Sequence, residues 1–361
     1  MMTNMQETEI KESFEAHRNS GLDLLKVVAM VWIVFFHFGS YGLLNSNLPV
    51  TGNWFILDFA GLGGGIGNCI FVLISGYFLY TDRFKLKKVL KLFLMVLFYT
   101  VINIAIGVIY GSSTIDSLSS LLSLIASFAD YWFFDYYIIL YVISPLLNRA
   151  INKIGKNIHF TIVIIMYIVF NFIPSILLIT YSSKIMNMLS VWLTFIELYF
   201  VGALIRRNDQ EHKVHGGLKA YSTLAVIVVI LDMISVYILR VQRSEDCSYF
   251  IWKMDRCLPV ITAVLLFMCF RTVKVKRKSL VSKLAQTVFA VYLLHVGKSA
   301  PFFDEYFLNS KKLYNNRFMI IFMLISTIAI FILSYGAEYI RKIIENRIFC
   351  GKQEHRLRGQ I

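Results

Sequence analysis

Lys26 and His37, eleven positions apart in the first apolar stretch, are the residues whose types and spacing most clearly suggest chemistry. On a helix that interval comes within about 20° of three full turns, so the two side chains share a face about 16 Å apart along the axis. Asp23 falls on nearly the same face, one turn before Lys26, and can pair with its ammonium. Ionisable groups at membrane depth are costly, so each is a functional candidate. The plainer readings are that Lys26 snorkels to the surface and that His37 bonds a neighbouring helix.

The full set of such groups is Lys26, His37, Asp58, Asp135, Glu197, Asp232, His295 and Glu338. His295 stands about 14 residues into its apolar segment, a depth comparable to that of His37, so two imidazoles at matched depth can line one site. Asp135 belongs to the aromatic stretch Trp132 to Tyr141, which suits an interfacial belt or a sugar-stacking platform. For Glu197 and Asp232, proton relay, helix pairing and acceptor binding all stay open.

Gly61, Gly63, Gly64, Gly65 and Gly67 fit neither a dinucleotide fingerprint nor a P-loop, and close helix packing explains them. Ser75-Gly76 follows, just ahead of a basic run from Arg83 to Lys91 that includes Lys87 and Lys88. An anionic ligand from the cytoplasm would meet that run, which also reads as an ordinary positive-inside loop. Five cysteines show no metal-ligand spacing, so no metal site is expected; a disulfide between Cys247 and Cys257 in one outer loop is geometrically possible.

Lipid must surround the elements that position these groups. The 361 residues are 57% hydrophobic and 16% charged, with mean hydropathy +0.65, too apolar for a water-soluble chain of this size. Ten segments are long and apolar enough to span: 22–43, 55–80, 86–110, 120–148, 158–180, 186–205, 218–239, 257–271, 281–299 and 317–347. The fourth and last exceed what a bilayer needs, and the eighth is short. Between them, loops taken alternately hold 27 of the 36 Lys and Arg against 9, which places both termini in the cytoplasm. The net charge of +14 then marks loops beside anionic lipid headgroups, not a nucleic-acid surface.

An all-α polytopic integral membrane protein of about ten transmembrane helices is expected. It has a cytoplasmic segment over 1–21 with no cleaved signal peptide, a membrane domain over 22–347 and a basic cytoplasmic tail over 348–361. No loop is long enough to fold alone, so any chemistry falls to residues between helices or at their rims.

Four stretches, in order, resemble the acyltransferase 3 family. Arg18 and Gly21 through Lys26 to His37 are similar to its opening, and Phe71 to Phe78, with Ser75-Gly76, to its second-helix signature. Trp132 to Tyr137 with Ser144 to Asn148 are similar to its mid-chain segment, and Tyr292 to His295 to its penultimate-helix motif. The family's usual residue at Lys26 is arginine; lysine keeps the charge and loses the bidentate fork.

The resemblance implies a membrane acyltransferase domain over 22–347 in the bacterial plasma membrane. It would move an acyl group, typically acetyl from acetyl-CoA, to a hydroxyl of a cell-surface or lipid-linked glycan, with no permanently bound cofactor. On that reading His37 is the general base, His295 orients His37 or the acceptor, and Asp135 joins the site. Lys26, Arg83, Lys87 and Lys88 would draw in the CoA phosphates, and Ser75-Gly76 would shape the path of the pantetheine arm. The rivals are a proton-coupled transporter, using Glu197, Asp232 and His295, and a polysaccharide exporter without catalysis.

Overall fold

A backbone in lipid must satisfy its own polar groups, and this chain does so with helices. The computed structural model describes residues 19–40, 52–113, 131–179, 183–211, 217–242, 252–276 and 278–358, and no strand occurs among them. The first helices are α1 (Ser20–Ser40), α2 (Gly52–Leu79), α3 (Leu86–Tyr110), α4 (Trp132–Lys153) and α5 (Lys156–Ile176), the last with a π-helical stretch at Ile168–Phe172. Then follow α6 (Lys184–Glu211), α7 (Leu218–Gln242), α8 (Cys257–Phe270), α9 (Lys278–His295), the short α10 (Ala300–Tyr306) and α11 (Met319–Arg358). Each of the ten expected segments overlaps one of these helices; 41–43, 120–130 and 180 lie outside the described residues.

Seven helices, α1, α2, α3, α5, α6, α7 and α11, are long and apolar enough to cross a membrane unaided. An eighth span is possible if α9 and α10, bent by 63° at their junction, count as one. The remaining two fall short for visible reasons: α8 is apolar but only 14 residues long, and α4 carries Asp135, Asn148, Arg149 and Lys153. At 40 residues, α11 is about 60 Å long, twice a hydrocarbon core of about 30 Å.

Glycine decides which helix is central. A Cβ at Gly63 would lie 2.2 Å from the Trp32 carbonyl oxygen on α1, and one at Gly76 would lie 2.6 Å from that of Tyr199 on α6. Absent those carbons, α2 sits against α1 on one side and α6 on another, with α8 also packed on it. Against α1 and α11 lies α9, while α7 covers α8. The outermost helices turn Ile165, Val169, Val226, Ile230, Ile325 and Ile332 outward, as expected where the surrounding solvent is hydrocarbon. Cys257 is a free thiol, and Cys247 lies outside the described residues.

Candidate active site

Faces of α1, α2 and α9, with Leu92 of α3 and Phe133 and Tyr137 of α4, converge on one cavity of about 240 Å³. From α1 come Lys26, Met30 and Ile33, successive turns of the face whose next member is His37. From α9 come Val288, Phe289 and Tyr292, one turn short of His295. On α2 every residue from Gly61 to Leu79 is buried except Asn68, Phe71, Ser75 and Phe78, which share a face; the first three line the cavity. Phe78 lies at its mouth, 5.6 Å from the Lys26 ammonium. The cavity therefore runs from Lys26 to within one turn of both histidines.

There His37 and His295 meet edge to face, ring centroids 5.1 Å apart and planes at 74°. His37 is half-buried, packed edge-on against Phe36, and His295 is fully buried. The Nδ1 of His295 is 2.5 Å from the Val291 carbonyl oxygen. A carbonyl only accepts, so Nδ1 carries the hydrogen and Nε2 of a neutral ring keeps its lone pair, with no hydrogen-bond partner among the described residues.

His295 ends α9, and a cut helix leaves carbonyls to be satisfied. Asn103 of α3 does this: its amide nitrogen donates to the carbonyls of Leu293 (2.8 Å) and Val296 (3.1 Å) and to the Tyr131 hydroxyl. Ser299 Oγ lies 2.8 Å from the Asn103 oxygen and 2.7 Å from the Leu294 carbonyl. Gly297, at φ +86°, turns the chain from α9 into α10 in the left-handed region. Sequence reasoning missed Asn103, which carries no charge; the one available signal was Gly297 as a helix stop directly after His295.

The expected anion-binding residues divide. Lys26 pairs with Asp23 at 3.1 Å and stands at the cavity mouth. Lys88, half-buried, is 3.8 Å from Asp82 and 5.0 Å above the Tyr141 ring. Arg83 and Lys87 are exposed and line neither this cavity nor the next. Ser75 lines the cavity but spends its hydroxyl on the Phe71 carbonyl at 2.7 Å, an ordinary i−4 bond. Gly76 faces away from the cavity into the crossing with α6, where Gly202 in turn faces Leu73 and Tyr77. Asp135 is half-buried and lines neither this cavity nor the next, although its neighbours divide between them, Phe133 and Tyr137 to the first and Trp132 and Tyr136 to the second.

That second cavity, about 330 Å³, lies toward the Gly52 end of α2. Its walls are Trp132, Tyr136 and Trp252, and its polar groups are Lys184, Asn187, Lys253 and Asp255. Lys253 Nζ donates to Asn187 Oδ1 at 3.3 Å, and burial draws the Lys253 ammonium below the ordinary lysine range. Asp255, fully buried, accepts from Ser190 at 2.5 Å. Asn68 lines both cavities.

Two further carboxylates stand apart. The π-helical turn of α5 places Asn171 opposite Glu197 of α6; with the amide nitrogen turned toward it, the carboxylate oxygens lie at 2.8 and 2.5 Å. Asp232 is fully buried on α7 and neither oxygen has a hydrogen-bond partner among the described residues.

A family model described as an acyltransferase domain, that of acyltransferase 3, matches residues 19–336. Comparison with curated proteins and with solved structures gives no match.

Proposed function

The chain belongs to the acyltransferase 3 family and is a multi-pass membrane acyltransferase; from that premise we propose that it moves acetyl from acetyl-CoA to a hydroxyl of a cell-surface or lipid-linked glycan. The observation that carries this reading is the cavity that runs from Lys26 to within one turn of the His37–His295 pair. With ten helices crossing the bacterial plasma membrane and both termini inside, Lys26 stands at the cytoplasmic mouth, where CoA is found. Its ammonium, with Lys88, meets the CoA phosphates, and Arg83 and Lys87 raise the positive potential outside. The narrow apolar passage past Met30, Ile33 and Phe71 receives the pantetheine arm and carries the thioester to the histidines.

The second cavity takes the glycan: Trp132, Tyr136 and Trp252 offer faces for sugar rings, and the polar side chains beside them offer hydrogen bonds. An alcohol is barely ionised near neutral pH, so its attack needs a base. In the reaction His37 accepts the hydroxyl proton as the oxygen attacks the thioester carbon. The new C–O bond forms, the C–S bond breaks, and the proton passes to the departing sulfur to give CoA thiol and the glycan ester. His295, fixed by Val291 and the Asn103 bridge, holds the ring of His37 at a set angle.

The test is genetic and chemical. A deletion strain restored with the wild-type gene regains O-acetyl groups on its surface glycans, seen by NMR, and one restored with His37→Ala does not. Full restoration by His37→Ala removes the base, and unchanged acetylation in the deletion strain removes the reaction.

A further inference from the structure

An uncommitted amide in an apolar helix needs an explanation, because an amide without a partner at membrane depth is unfavourable. The asparagines Asn103, Asn148 and Asn171 all have protein partners: the α9 carbonyls, the Leu79 carbonyl with the Tyr199 hydroxyl, and Glu197. Asn68 is different. It is half-buried near the middle of α2, makes no hydrogen bond to a described residue, and lines both cavities. Its position along the bundle is fixed by glycine contacts. Gly64, one turn away, packs on Phe36, the neighbour of His37, and Gly67 packs on Ile33, one turn from His37 on the same face. Asn68 therefore stands where the two cavities meet, about one turn from the level of the histidines.

We propose that the Asn68 carboxamide is a catalytic group, an N–H donor to the carbonyl oxygen of the acyl group as it passes from one cavity to the other. This rests on the acyl-transfer reading and adds the component that reading lacks. When a hydroxyl adds to a thioester, the carbonyl π pair moves onto oxygen, and the tetrahedral species carries negative charge until the C–S bond breaks and the carbonyl re-forms. His37 holds the proton during that interval and cannot also neutralise the oxyanion. A donor in a dry site does so, and losing one such donor lowers kcat by about a hundredfold or more. Lys26 lies three turns from His37 along α1, too far from the base to serve.

The experiment uses native membrane vesicles containing the full-length protein and acetyl-CoA labelled in the acetyl group, with transfer to the endogenous acceptor followed by incorporation. The melting temperature of each purified variant in detergent is measured alongside. Asn68→Ala and the nearly isosteric Asn68→Asp, which has no N–H donor, are expected to lower kcat about a hundredfold. KM for acetyl-CoA should stay within about twofold and Tm should not fall; Asn68→Ser, which keeps a donor, regains part of the rate. Transfer by Asn68→Ala within threefold of wild type, with His37→Ala inactive, overturns the role of Asn68 and leaves the acyl-transfer reading standing. A rate that falls in step with Tm across the three variants also overturns it, by making Asn68 structural. If wild type incorporates no label, the acyl-transfer reading itself fails and this proposal fails with it.

Discussion

The two cavities that meet at Asn68 are built differently. The first is enclosed by faces of α1, α2 and α9 with Leu92 of α3 and Phe133 and Tyr137 of α4, has almost entirely apolar walls and carries its one cation, Lys26, at the mouth. The second is assembled from the starts of α4 and α6 and the short segment 252–255 before α8, with aromatic walls and four charged or amide side chains besides Asn68. Packed helices fix a passage of one shape, suited to a substrate that never varies, such as the pantetheine arm. Helix ends and connecting segments can change without disturbing the bundle, which suits a partner that differs from one family member to another.

The comparison is broken most severely by loss of the proposed base, which stands one turn beyond the first cavity's lining. His37→Ala should reduce transfer about a thousandfold, within the range for a lost general base, whatever the donor or acceptor concentration. A loss confined to the KM of one substrate would instead assign His37 to that substrate's cavity. Next comes Asn103→Leu, which strips the α9 break of its donor. We expect a fall of about tenfold in kcat and a stability loss of about 1–3 kcal/mol from carbonyls left unsatisfied. The check is a thermal melt beside the rate, with Asn103→Gln recovering less than wild type because its longer arm does not fit between α3 and α9.

Smaller effects should separate the two sides. Lys26→Ala removes one charge-assisted contact, so KM for acetyl-CoA should rise about tenfold with acceptor KM unchanged. Lys26→Arg should preserve binding, since a phosphate accepts either cation. Trp132→Ala removes one stacking face and should raise acceptor KM several-fold while leaving acetyl-CoA kinetics alone. If Trp132→Ala shifted the donor KM and Lys26→Ala the acceptor KM, the assignment of the cavities would be reversed.

How much of this the sequence discloses differs between the cavities for the same structural reason. Lys26 and His37 share a helix, so their common face follows from spacing alone, and the matched depth of His295 is readable too. That α9 touches α1 is not readable, because which helices become neighbours depends on close approaches such as Gly63 against Trp32. The second cavity was legible only as an aromatic stretch. Trp252, Lys253 and Asp255 belong to a connection read as an outer loop, brought against α2 where Gly61 and Gly65 leave room for Trp252. Asn68 and Asn103 escaped notice because a search for ionisable groups passes over neutral amides, although at membrane depth an amide raises the same question of partners. Gly76 shows the converse: a recognisable motif position whose work in this fold is helix packing.

Asp232 offers the smallest expected effect and the sharpest boundary. It is as deeply buried as His295, yet it lies on α7, whose other residues largely face outward, and it lines neither cavity. Its oxygens have no hydrogen-bond partner among the described residues, so its burial is a cost to the fold that the two-cavity scheme does not use. Asp232→Asn should therefore leave transfer within about twofold of wild type and Tm within a few degrees, since one buried polar group without a partner among the described residues replaces another. A proton-coupled transporter predicts the reverse, because there an isolated membrane carboxylate is the proton carrier and its amide is inactive. Labelled-acetyl incorporation and a thermal melt on this one variant decide the matter. A tenfold loss of transfer at unchanged Tm would mean that a third region takes part and that two cavities meeting at Asn68 are not the whole machine.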